Sequence, residues 1–168
     1  AQGESIAVLL QDLQTNNPTT PVVAVGDYNA YQFSDGYTDP VATIKGQAVS
    51  TDNVVVSGSP DLVEPDLVNL TDTLPADQQY SYIFEGSPQA IDHVFVNHVA
   101  SPLVTRYAVA RLNADFPSTP EFNAPDRPEN SSDHDAPVAF FRFPAAVTST
   151  EVPNFSVTYN VGGQMVAL

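Results

Sequence analysis

The sequence predicts an α/β fold, equally describable as α+β, with one mixed or antiparallel-rich sheet and flanking helices. Three observations predict it. Ile6, Leu9, Leu10 and Leu13 recur at i, i+3, i+4 and i+7, with Glu4, Gln11, Asp12 and Gln14 largely on the opposite face, which is an amphipathic helix over residues 4–15 ended by Asn16-Asn17-Pro18. Pro21-Val22-Val23-Ala24-Val25-Gly26 follows, a β-branched run too short for a helix, so it reads as a strand buried on both faces. Strand character then returns at Tyr80–Phe84, Ile91–Val96, Leu103–Leu112 and Pro137–Phe143, and the first three read as neighbours in one sheet.

Between these elements the signals are local. Aromatic residues, Gly and Pro from Tyr28 to Gly46 make a loop with one helical turn around Pro40–Lys45, and residues 47–79 are polar, proline-spaced and give no clear period. Glu85-Gly86-Ser87-Pro88 reads as the turn ahead of Ile91, and 113–136 as a long polar loop, a kind of segment that often carries function. After Pro144 the composition shifts to Ala, Val, Thr and Ser, with one more strand at Phe155–Val161. Residues 1–143 therefore read as one unit and 144–168 as a linker or the start of a following β module.

Composition narrows the chemistry. The chain has 168 residues, 5 Lys and Arg against 20 Asp and Glu, a net charge of −15, no Cys and no Trp. Without cysteine there is no disulfide, thiolate metal site or thiol nucleophile, so any chemistry runs on oxygen and nitrogen ligands. Apolar runs are short and the first residues lack a basic segment before an apolar one, so neither a membrane span nor a signal peptide is expected. So acidic a chain repels phosphates over most of its surface, and a polyanionic substrate would need bound cations or a local basic patch.

Three acidic motifs stand at strand ends. Gly26 lets the chain turn at the carboxyl end of its strand and presents Asp27 and Asn29 two residues apart. Asp92 opens the strand Ile91–Val96, and Ser132-Asp133-His134-Asp135 immediately precedes the last core strand. If the strand 22–26 runs antiparallel to the other two, Asp27, Asn29, Asp92, Asp133 and His134 converge at one sheet edge as a hard-cation site with an acid/base group. Each motif alone is as well explained as a turn or surface loop, so the ordered set carries the weight. His93 alternates away from Asp92 and reads as a packed or surface strand residue.

The set resembles the endonuclease/exonuclease/phosphatase superfamily, with its deoxyribonuclease-I-like fold, and within it bacterial secreted nucleases. The likeness rests on Gly26-Asp27-Tyr28-Asn29-Ala30-Tyr31, on Tyr82-Ile83-Phe84-Glu85-Gly86 leading into Ile91-Asp92-His93-Val94, and on Ser132-Asp133-His134-Asp135-Ala136-Pro137-Val138. It implies that Asp27 positions or deprotonates the attacking water and that Asn29 hydrogen-bonds the scissile phosphate. It also implies that Asp92 orients a histidine and that His134 binds a phosphate oxygen or stabilises the leaving side. Asp133, Asp27 and Asn29 would hold Mg²⁺ or Mn²⁺, with Ca²⁺ also possible. The family's domain is a four-layer sandwich, and its first-half Asn, metal-binding Glu and second histidine have no counterpart here. The chain thus resembles the carboxyl half of that sandwich, whose exposed sheet face would be covered by the missing half or by self-association.

The expected function is divalent-metal-dependent phosphodiester hydrolysis by a secreted, extracellular, bacterial nuclease acting on DNA, without membrane partners. A phosphatase or phospholipid phosphodiesterase of the same fold is the nearer alternative. A non-catalytic interaction module of a larger secreted protein is the alternative from another class.

Overall fold

The computed structural model describes residues 2–116 and 131–144, together with the backbone of 158–161 and 164–167. It is a mixed α+β structure whose sheets are antiparallel. Helix α1 spans Gln2–Asn16, but its buried face is Ala7, Leu10 and Gln14. Of the expected apolar face Leu9 and Leu13 are exposed, and Gln14, expected on the polar side, is buried. Strand β1 is Val23–Asp27, and helix α2 is Pro40–Lys45, the short helix expected from the sequence. Asp39 caps α2 by accepting from the Ala42 N–H, and Pro40 opens it. Gly46 closes α2 with φ 93°, where a Cβ would meet the Val63 carbonyl.

Strand β2, Val68–Asn69, leads into a 3₁₀ turn at Leu70–Thr73. Strands β3, Tyr82–Phe84, and β4, Ser87–Gln89, form a hairpin, and β5 is Asp92–Val96. Strands β6, Val104–Val109, and β7, Pro137–Phe141, pair with each other. Strand β8, Thr158–Val161, falls within the strand expected at 155–161 and pairs antiparallel with β9, Gln164–Ala167. The long loop expected at 113–136 lies largely outside the described residues, at 117–130. Among the described residues no helix is long and apolar enough to cross a membrane.

Strand β5 is the centre of the molecule. It lies between β1 and β2, and its two faces join two cores. Phe95 packs with Ala7, Leu10, Val41 and Ile44 of the helices, while Val94 and Val96 pack with Leu70, Ala100, Tyr107 and Phe141 beneath the β6–β7 pair. Burial of these apolar surfaces is the main force holding both layers to β5.

Two expectations about the sheet are corrected. The 22–26 run is not buried on both faces: β1 is an edge strand, and Val23 and Val25 are 41% and 67% exposed. Ala24 faces the helices, whereas the β6–β7 layer that covers Val94 and Val96 leaves the β1 side of that face open. The strands near 80–84, 91–96 and 103–112 are not neighbours either, since β3 pairs with β4, β5 with β1 and β2, and β6 with β7. The reason lies in the turns. Glu85 and Gly86 both adopt positive φ, 47° and 82°, which closes a two-residue hairpin and turns Ser87-Pro88-Gln89 into β4 instead of a loop.

Candidate active site

The antiparallel β1–β5 register sets Asp27 directly opposite Asp92, so the carboxyl end of one strand meets the start of the other. Beyond Asp27 the chain turns at Asn29, which takes φ 48°, a left-handed conformation that Asn tolerates better than most residues. The turn is fastened to the carboxylate: the Asn29 N–H donates to Asp27 Oδ1 at 2.8 Å and Asn29 Nδ2 donates to Oδ2 at 3.2 Å. The next residue is fixed from below, because His93 Nε2 lies 2.7 Å from the Ala30 carbonyl.

A carbonyl only accepts, so Nε2 of His93 carries the proton, and its Nδ1 accepts from Asn69 Nδ2 at 3.1 Å. Neutral His93 is therefore fully satisfied, and burial pushes its pKa below the ordinary 6.5. It is a packed strand residue, one of the two readings that alternation allowed, and it holds the loop that carries Asn29.

His134 arrives by a different route. A single antiparallel bridge pairs it with Tyr82 of β3, and their rings lie 4.7 Å apart. His134 Nδ1 then reaches Asp92 Oδ2 at 2.8 Å, and the same oxygen accepts from Ser81 Oγ at 2.7 Å. Ser81 is buried and its Oγ also lies 3.2 Å from the Asp92 N–H. A chain from Ser81 through Asp92 to His134 results, in which the acceptor carboxylate favours the tautomer with the proton on Nδ1.

One ligand atom each from Asp27, Asp92 and His134 lies within 4.8 Å of the others. Like charges set directly across a strand pair repel, and among the described residues no Lys or Arg pairs with Asp27 or Asp92. Their carboxylates, with the Asn29 amide beside them, form the oxygen-rich donor set that suits a hard divalent cation. Four of the five residues singled out in the sequence thus gather at one place. Asp133 is exposed on the adjoining loop and stands outside that group.

Sequence reasoning missed the supports. Asp135 is fully buried and its Oδ1 accepts from the Leu112, Asn113 and Ala114 N–H groups at 3.0, 2.8 and 3.2 Å. Its Oδ2 meets Arg111 Nη1 at 3.2 Å, and its own N–H donates to the Ser81 carbonyl at 2.7 Å. Asn113 Nδ2 donates to the His134 carbonyl at 2.7 Å, so the same knot clamps the histidine from behind. An acidic residue two positions before a strand that starts Pro137-Val138 was the available signal, but its burial depends on residues more than twenty positions away.

No family model, characterised protein or solved structure matches this chain.

Proposed function

We propose that this chain is a divalent-metal-dependent phosphodiesterase, a secreted bacterial nuclease acting on DNA. On this reading its sheets correspond to the carboxyl half of a deoxyribonuclease-I-like sandwich. The observation that carries the reading is the Ser81–Asp92–His134 hydrogen-bond chain ending within 4.8 Å of Asp27. Phosphodiester hydrolysis asks mainly for positioning and charge stabilisation, and a general base, an oriented imidazole and a cation site supply both.

Asp27, Asn29 and Asp92 would hold Mg²⁺ or Mn²⁺. When bound, the cation supplies Lewis-acid stabilisation of the charge on phosphoryl oxygens. Asp27 is exposed and accepts a proton from the attacking water, while Asn29 keeps that carboxylate in place through its two donors. His134 offers Nε2 to a phosphate oxygen or to the leaving oxygen. Asp92 keeps the imidazole in the required tautomer, and Ser81 keeps Asp92 from rotating.

Exposed Val23 and Val25 on edge strand β1 favour a second reading, an interaction module that keeps the fold without turnover. Plasmid DNA and single-stranded DNA, each incubated with the purified chain and Mg²⁺ or Mn²⁺, test the two. Cutting that EDTA and His134→Ala abolish supports the hydrolase. Cation binding without any cutting supports the module.

A further inference from the structure

Beside Asn29 lies an open cleft of about 350 Å³, in the size range of small-ligand sites. Aromatic rings frame it from two elements. Tyr31 and Phe33 are stacked at 5.6 Å and 12°, and Tyr82 and Phe84 at 6.4 Å and 26°. Between them Asp35, Thr38 and Gln89 line the cleft and offer donors and acceptors. Asp35 Oδ1 is pinned by the Tyr37 and Thr38 N–H groups at 2.7 and 2.8 Å, so the loop carrying Phe33 has a defined shape.

The cleft adjoins the candidate active site through two of its lining residues. Asn29 lines it and also holds Asp27, and Tyr82 lines it with its ring 4.7 Å from that of His134. A phosphodiester set between Asp27 and His134 would therefore have the cleft within one nucleotide's reach. Charge argues the same way. Lys45 is engaged by Asp72, Arg111 by Asp135, and Arg106 lies over Phe140, so none of these cations offers a phosphate track beside the cleft. Duplex DNA presents phosphates and hides its base faces, whereas a single strand offers π-faces that aromatic side chains bind without regard to sequence.

We propose that this cleft is a base pocket, in which Phe33 and Phe84 stack on an unpaired nucleobase and make the site selective for single-stranded DNA. The proposal deepens the phosphodiesterase reading and rests on it.

Phe33 and Phe84 are 66% and 51% exposed, so removing either ring leaves the core filled. The test is binding of fluorescent oligonucleotides to the His134→Ala protein with Mg²⁺ present, using a single strand, its duplex, and a single strand of abasic sites that keeps every phosphate. The expected result is at least tenfold preference for the single strand over both others. Phe33→Ala and Phe84→Ala should each weaken single-strand binding roughly five- to a hundredfold, with little change for duplex. The salt dependence should be shallow, with a log–log slope no steeper than about −2. The chain has no Trp, so Phe33→Trp supplies a single indole, whose fluorescence the single strand should quench while retaining affinity.

Equal affinity for the abasic strand, a preference for duplex, or indifference to both alanine substitutions would overturn the pocket. Because binding needs no turnover, the two readings fail separately. Cutting of either DNA with no base-dependent binding removes only the pocket, and base-dependent binding with no cutting of single-stranded DNA by the wild-type chain removes only the hydrolase.

Discussion

Asp27 and Asp92 face each other across the β1–β5 pair, two carboxylates in register at the point where both strands meet solvent. Opposed like charges destabilise a sheet, and a divalent cation is the direct remedy. Mg²⁺ or Mn²⁺ at about 100 times its Kd should stabilise the fold by about 2.7 kcal/mol, raising Tm by roughly 5–11 °C. Asp27→Asn should abolish that shift, and a melting series with EDTA and added cation checks it. No cation-dependent shift in the wild type would remove the metal site.

The Ser81–Asp92–His134 chain makes a graded prediction for cleavage. His134→Ala should lower kcat by about 10²–10⁴-fold, the usual contribution of a positioned acid/base group. Asp92→Asn should cost about 10–100-fold by losing the acceptor that orients the ring. Ser81→Ala should cost less and shift the pH profile, because Asp92 keeps its place but loses a donor. Equal losses in all three would mean that they act through folding alone.

Buried His93 makes the fold acid-sensitive. Its folded pKa lies below the ordinary 6.5, so the unfolded chain binds the extra proton first. The contribution of neutral His93 is fully present above that value and is lost as pH falls from it toward the folded pKa. Protonation would also set an Nδ1–H against the Asn69 amide N–H, whose own oxygen is held by the Thr71 N–H at 3.2 Å. Denaturant midpoints at pH 8 and pH 5 should fall more for the wild type than for His93→Gln. Parallel curves would assign the acid sensitivity to the carboxylates.

Asp135 is expected to be the most costly residue to remove. Asp135→Ala strips the acceptor from three N–H groups and the partner from Arg111, and should cost about 3–5 kcal/mol. Asp135→Asn keeps one acceptor oxygen and should cost less. Because the Asp135 carboxylate also holds Asn113, whose amide donates to the His134 carbonyl, either change should lower cleavage beyond its effect on the folded population. Urea unfolding alongside activity per folded molecule separates the two effects.

The sequence by itself determined the local elements whose cause is local. The spacing of Ile6 to Leu13 located α1 but not its buried face, Pro40 and Gly46 bracketed α2, and the motif residues Asp27, Asn29, Asp92 and His134 were legible as an ordered set. Which strands meet was not local. The Asp27–Asp92 register, the open face of β1 beside Val25, and the bridge that carries His134 to Tyr82 follow from how two cores clamp β5. Only the tertiary structure could decide the supports, since Ser81 takes its role from a partner eleven positions away, and Asp135 and the buried His93 take theirs from partners more than twenty positions away. Periodicity reports which face a residue prefers, whereas hydrogen-bond partners are chosen by the packing that removes water from around them.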